Sequence, residues 1–247
     1  MHFRILACNV LTREICWCAA KSPNTLDVSF FPKDKHNHPS TLRELLQQEI
    51  DSAATGDTFY DAILLAYGLC GNATVGLRAR RFPLIIPRAH DCTTLFLGSK
   101  TAFADYFGET PSQSWTSVGY SERSDSILSD GNTQSFTPSG QSFFELAEIY
   151  GEENARDLWD TLTAHQENSE VPFLDVPETH ISSKVKHIKS CIESTGKKMR
   201  TIPGNICLIE SLISGNWSEE NFLTVLPEER ITGVYDHEQV IRSEKTP

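Results

Sequence analysis

The chain has 247 residues, a formal net charge of −11, 39% hydrophobic residues and 22% charged residues. That length and balance leave room for one large folded domain or two small ones, and for a substantial core. No apolar run reaches the ~20 residues that a bilayer span needs, and the acidic excess leaves no broad cationic face for a phosphate backbone, so neither a membrane nor a nucleic acid is an expected partner.

"MHFRILACNVL" reads as a first strand rather than a leader peptide, which makes the expected compartment the cytoplasm. Strand character over 3–10 gives way to "LTREICWCAAK", helical, with Thr12 as N-cap and Glu14 in the first turn. "TLDVSFFP" (25–32) alternates like a strand. "HPSTLRELLQQEIDSA" follows, with Pro39 and Ser40 at its start and Leu42, Leu45, Leu46 and Ile50 at helical spacing. "YDAILLAYGLCG" (60–71) and "FPLIIP" (82–87) are short apolar runs bounded by glycine or proline, the pattern of strands buried on both faces. This alternation predicts an α/β fold: a mainly parallel, Rossmann-like sheet of at least three parallel strands, flanked by helices.

From 109 to 141 the composition turns to Ser, Thr, Gly, Asp and Gln, the mark of a long inserted loop or lid with a brief strand around Trp115 to Val118. Residues 142–165 read as helix interrupted near Gly151, and "ENSEVPFLDVPETH" as a connection. Residues 180–196 read as an amphipathic helix ended by Gly196, and "KKMRTIP" as a strand. "GNICLIESLISGNW" gives a further helix, and "FLTVLP" a last strand. With no internal repeat, the expectation is one domain over 1–247.

The chain carries seven cysteines and no CxxC pair. In a reducing compartment each is a core residue, a nucleophile or a metal ligand, and any metal site must gather ligands from distant segments. Cys8, Cys70 and the pair His90/Cys92 all fall at the carboxyl ends of expected strands, where α/β sheets collect ligands. Zinc prefers thiolate and imidazole, and a catalytic zinc keeps one position open. Cys8, Cys70, His90 and Cys92 are therefore the candidate metal ligands. Three cysteines could equally hold a 4Fe–4S cluster with one open iron, able to abstract sulfur or act as a Lewis acid. A third reading is thiol catalysis without metal, with Cys92 lowered in pKa at a helix N-terminus.

Around these ligands, Arg88 is the candidate anchor for an anionic substrate. Asp91 either orients His90 or caps the following helix, and Glu14 or His38 would handle protons. His36 reads as a solvated loop residue. "GLCGNATVG" is neither a Walker loop nor GxGxxG. Its glycines, Gly71 among them, let the backbone turn tightly, and Asn72 could donate to a bound ligand. Trp115 and Tyr120 are possible lid contacts. Cys16, Cys18, Cys191 and Cys207 read as core or surface residues.

The stretches "LACNVLTREI", "HNHPSTLRELLQQEID", "AILLAYGLCGNATVGLRA", "PRAHDCTTLFLGS" and "LISGNWSEENFLTVLP" resemble the family catalogued as domain of unknown function 1638. "YGLCGN" followed about twenty residues later by "PRAHDC" is the most specific part of the likeness. The resemblance implies cysteine at the positions of Cys8, Cys70 and Cys92 and histidine at that of His90. It also implies an association with corrinoid-dependent methylamine metabolism. Corrinoid-linked methyltransferases use a His-x-Cys pair with a distant cysteine, which His90, Cys92 and Cys8 or Cys70 resemble. Their larger barrel is beyond the length of this chain.

Together these readings predict a zinc-dependent cytoplasmic enzyme, transferring a group, methyl above all, with a thiol and a small-molecule substrate. The alternatives are cluster-based sulfur or lyase chemistry, or a non-catalytic metal- or corrinoid-binding accessory to a methyltransferase or corrinoid protein.

Overall fold

A computed structural model describes residues 1–33, 39–108, 113–123, 147, 151–163, 169–234 and 239–246. It opens with β1 (His2–Cys8), a 3₁₀ turn over Asn9–Leu11, α1 (Thr12–Lys21), β2 (Thr25–Phe31), α2 (Pro39–Thr55), β3 (Ala62–Ala66) and β4 (Leu84–Pro87). Two short helices follow, α3 (Cys92–Leu97) and α4 (Lys100–Phe107), then α5 (Val118–Arg123) and α6 (Glu152–Thr163). The remainder is β5 (Glu170–Asp175), a 3₁₀ turn over Pro177–Thr179, α7 (Ser182–Ser194), β6 (Lys198–Pro203), α8 (Cys207–Ser214), β7 (Phe222–Val225), β8 (Glu229–Gly233) and β9 (Ile241–Lys245).

Every residue of β3 and β4 is buried, which is why these runs are apolar without alternation: both faces of the sheet are covered. The central sheet has the order β2-β1-β3-β4-β7, its first four strands parallel and β7 antiparallel to β4. The chain moves outward from β1 to β2, then returns past β1 to form β3. The right-handed crossover rule therefore sends α1 and α2 to opposite faces. On α2 the stripe Leu42, Leu46 and Ile50 is fully buried at i, i+4 spacing, each side chain stabilising the packed state by about 1.5–3 kcal/mol. On the other face α1 packs against α8, which lies on β3 and β4.

Thr12 is the first residue of α1 rather than its N-cap; Leu11 holds the cap position, and the Thr12 hydroxyl donates to the Asn9 carbonyl at 2.6 Å. The segment 167–180, expected as a connection, contains β5. It pairs in parallel with β6 in a separate two-stranded sheet, and Val171, Phe173, Ile188, Ile192 and Val118 form a second, smaller core. Pro172 masked this strand in the sequence because proline reads as a strand breaker. Of the expected loop, Thr116 bridges to Phe173 and Val118–Arg123 is helical, while 124–141 lie outside the described residues. The C-terminal hairpin β8–β9 had no clear signal in the sequence. Among the described residues no helix is long and apolar enough to cross a membrane.

Candidate functional site

In a parallel sheet of this order the direction of winding reverses between β1 and β3, and ligands gather outside the carboxyl ends at that point. Cys8 is the last residue of β1. Lys33 follows β2 by two residues, Cys70 follows β3 by four, and Cys92 opens α3 after β4. Backbone hydrogen bonds tie the last two loops together: Leu69 N–H donates to the Ala89 carbonyl at 2.8 Å, and Cys70 N–H to the His90 carbonyl at 2.9 Å. Gly68 permits this approach, since a Cβ there would stand 2.7 Å from both the Ala89 carbonyl oxygen and the Asp91 nitrogen. Cys70, Gly71 and Asn72 then run in the left-handed region at φ 47°, 62° and 68°. Each non-glycine residue there costs on the order of 1–2 kcal/mol, strain of the kind that collects at functional loops.

The three thiols interact electrostatically. Burial pushes Cys8 up to about 11, against a backbone N–H from Val10 and the charge of Lys33. Cys70 is raised by burial, then by Asp91 and Cys8, with backbone N–H groups of Gly68 and Cys92 opposing. Burial also raises Cys92 well above the ordinary thiol, followed by Cys70, Asp91 and Cys8, with Lys33 opposing. This is the reverse of the lowered Cys92 thiol expected of a metal-free nucleophile: the cost of burying a thiolate outweighs the helix start and the nearby cation. Burial lowers Lys33, while Cys92 and Cys8 hold its charge in place. Its ammonium also lies 4.5 Å from the centre of the Tyr120 ring. Tyr67, fully buried, is raised by burial and by all three cysteines.

The structure thus brings Cys8, Cys70 and Cys92 into one neighbourhood, with Lys33, Tyr67 and Asp91 around them. The His90 ring lies against Phe103, centroids 5.9 Å apart. Among the described residues, no group of three His, Cys, Asp or Glu side chains is arranged to hold an ion as it stands. Asp91 is the helix cap of the two roles expected for it: its carboxylate accepts from Thr93 N–H at 2.9 Å. Asn72 accepts from Arg43 Nη2 through its carbonyl at 2.7 Å, and its side-chain Oδ1 is buried without a hydrogen-bond partner among the described residues.

Arg88 points elsewhere. Its Nε donates to the Glu219 carbonyl at 2.8 Å, and its Nη1 to the carbonyls of Gln239 (2.9 Å) and Ile241 (2.5 Å), tying the end of β4 to the C-terminal hairpin. Glu14, 1% exposed, accepts from the Thr179 hydroxyl at 2.6 Å and is raised chiefly by burial. Its charged neighbours are Arg13 and Glu122 rather than the three thiols. His36 and His38 lie outside the described residues. Lys33 and Tyr67 were missed by sequence reasoning. Taking the residues just beyond every strand, not only the cysteines, would have found both.

The protein is thus of the mixed α/β class, with a mostly parallel sheet and three cysteines gathered at its carboxyl edge. The chain belongs to the family described as protein of unknown function (DUF1638), whose model matches residues 30–213. That span includes Cys70, His90 and Cys92 and leaves Cys8 outside. Neither the curated proteins nor the solved structures contain a match to the chain.

Proposed function

We propose that this cysteine cluster is the working site of a metal-dependent enzyme, with Cys8, Cys70 and Cys92 as ligands and zinc as the ion. The observation that carries the proposal is the convergence of three cysteines from three parallel strand ends at the winding reversal. A buried thiol gives up its proton only to something that repays the lost solvation, and a divalent cation does so. The donor set suits a soft or borderline ion. Entry requires the three thiol side chains to turn toward one point. Bound there with one open position, zinc would hold a substrate thiol as a thiolate and keep it nucleophilic at neutral pH.

The chain's own residues supply the rest. Lys33 offers a cation to an anionic substrate group, the role that the sequence assigned to Arg88. Asn72 presents an unused acceptor beside Cys70. Group transfer to sulfur, methyl transfer above all, is the chemistry such a centre supports best. A corrinoid protein or methyltransferase is the partner this chemistry would call for. Three thiols from separate strand ends also suit a second reading, a 4Fe–4S cluster with one open iron.

Elemental analysis with a visible spectrum, on anaerobically purified protein, tests the proposal. About one zinc per chain in colourless protein is expected, with the zinc lost in Cys70→Ser and Cys92→Ser. Brown protein with about four irons establishes the cluster reading instead. Failure to bind added zinc near stoichiometrically overturns both readings when no iron is present.

A further inference from the structure

Away from the thiols, at the carboxyl edge of the small β5–β6 sheet, three polar side chains lie in line. Asp175 ends β5, His180 follows the 3₁₀ turn, and Ser182 is the first residue of the thirteen-residue helix α7. His180 Nδ1 lies 2.7 Å from Asp175 Oδ1, and its Nε2 lies 3.1 Å from Ser182 Oγ. The carboxylate fixes the tautomer that carries hydrogen on Nδ1, which leaves Nε2 as an acceptor facing the hydroxyl. Acid, imidazole and hydroxyl thus stand in the order and at the distances of a nucleophilic serine relay.

Two further features complete the arrangement. Ile181 holds the N-cap of α7 and offers no side-chain acceptor to the first-turn N–H groups, so those of Ser183 and Lys184 are oriented to receive negative charge forming beside Ser182 Oγ. Ser182 is exposed, and His180 is 37% exposed, so an acyl group can reach the hydroxyl from solvent. The local chain creates the geometry: Asp175 is held where its carbonyl accepts from Gly204 N–H at 2.8 Å, and the turn over Pro177–Thr179 brings His180 back over it. In sequence the three are merely D-x4-H-x-S, far from any G-x-S-x-G pattern.

We propose that Asp175, His180 and Ser182 form a second catalytic site, independent of the cysteines, that cleaves carboxylic esters through an acyl-serine. Ser182 Oγ bonds to the ester carbonyl carbon while its proton passes to His180 Nε2, and the carbonyl π electrons move onto oxygen, toward the helix N–H groups. As the carbonyl re-forms, the carbon–alkoxy bond breaks, and Nε2 gives its proton to the departing alkoxide to yield the alcohol. Water then adds to the acyl-serine, His180 takes its proton and returns one to Oγ, and the carboxylic acid leaves. Asp175 holds the imidazole in place and is a positioning residue.

The test treats the full chain with a fluorophosphonate probe, locates the adduct by peptide mass spectrometry, and follows p-nitrophenyl acetate hydrolysis. Expected are one adduct on Ser182, none in Ser182→Ala, and labelling at least tenfold slower in His180→Gln. Asp175→Asn should lower kcat with KM unchanged. All three positions lie at the surface, and circular dichroism checks that each variant folds. Labelling should persist in Cys70→Ser, which separates this site from the thiol centre. An adduct elsewhere, no adduct, or equal labelling rates in wild type and His180→Gln overturns the proposal.

Discussion

Gly68→Ala tests whether the cysteine cluster depends on the close approach of two loops. An added Cβ would meet the Ala89 carbonyl oxygen and Asp91 nitrogen at 2.7 Å and the Asp91 Cα at 2.8 Å, where ordinary contact begins at 3.4 Å. The loops after β3 and β4 would have to part by about 0.7 Å, and every obstructing atom is backbone, which cannot rotate away. Overpacking of this kind costs about 1–3 kcal/mol. For a chain of this size that lowers Tm by roughly 3–10 °C, read by calorimetry or circular dichroism. The same displacement weakens the hydrogen bonds that Leu69 and Cys70 donate to Ala89 and His90 and moves Cys70 away from Cys92. Zinc affinity should therefore fall more in Gly68→Ala than in Gly56→Ala, where the added Cβ finds its nearest atom at 3.4 Å. An unchanged Tm would refute the packing argument. A lowered Tm with unchanged zinc affinity would refute the link from packing to site.

Two further predictions concern carboxylates at the junction between α1 and the smaller unit. Glu122 accepts twice from Arg13 at 2.6 Å and pairs with Lys184 at 2.5 Å; the Arg13 hydrogen bonds, against burial and with help from Lys184, bring it down to about 2. Its contribution is present above the unfolded carboxylate range near ~4.3 and is lost as pH falls through its folded value, so urea midpoints of wild type and Glu122→Gln should converge toward pH 2, with wild type ahead at pH 7 by on the order of 1–2 kcal/mol. Glu14 has the opposite sign. Burial raises it, so its neutral form fits below the unfolded value and its charge becomes a penalty as pH rises through the folded one. Glu14→Gln, which keeps an acceptor for Thr179, should match wild type in acid and exceed it in alkali on the same denaturation curves; a deficit at every pH would show that the ionised carboxylate is stabilising.

The amino-acid order made legible most elements of the first hundred residues and the edge of the sheet where the cysteines collect. Apolar runs such as "AILLA" and "LIIP" are unambiguous because a strand buried on both faces tolerates little else, and parallel strands all end on the same side. The amino-acid order also offered Asp91 as a helix cap or as the orienter of His90, and the cap is legible because capping is decided by a few adjacent residues. The folded chain settled which groups face one another. It turned the His90 ring toward Phe103 and Arg88 toward the C-terminal hairpin, brought Lys33 and Tyr67 to the thiols, and aligned Asp175, His180 and Ser182. Periodicity reports the face on which a side chain lies. Side-chain direction depends on loop paths and on distant backbone atoms, such as those that crowd Gly68, and these exist only once the sheet has formed.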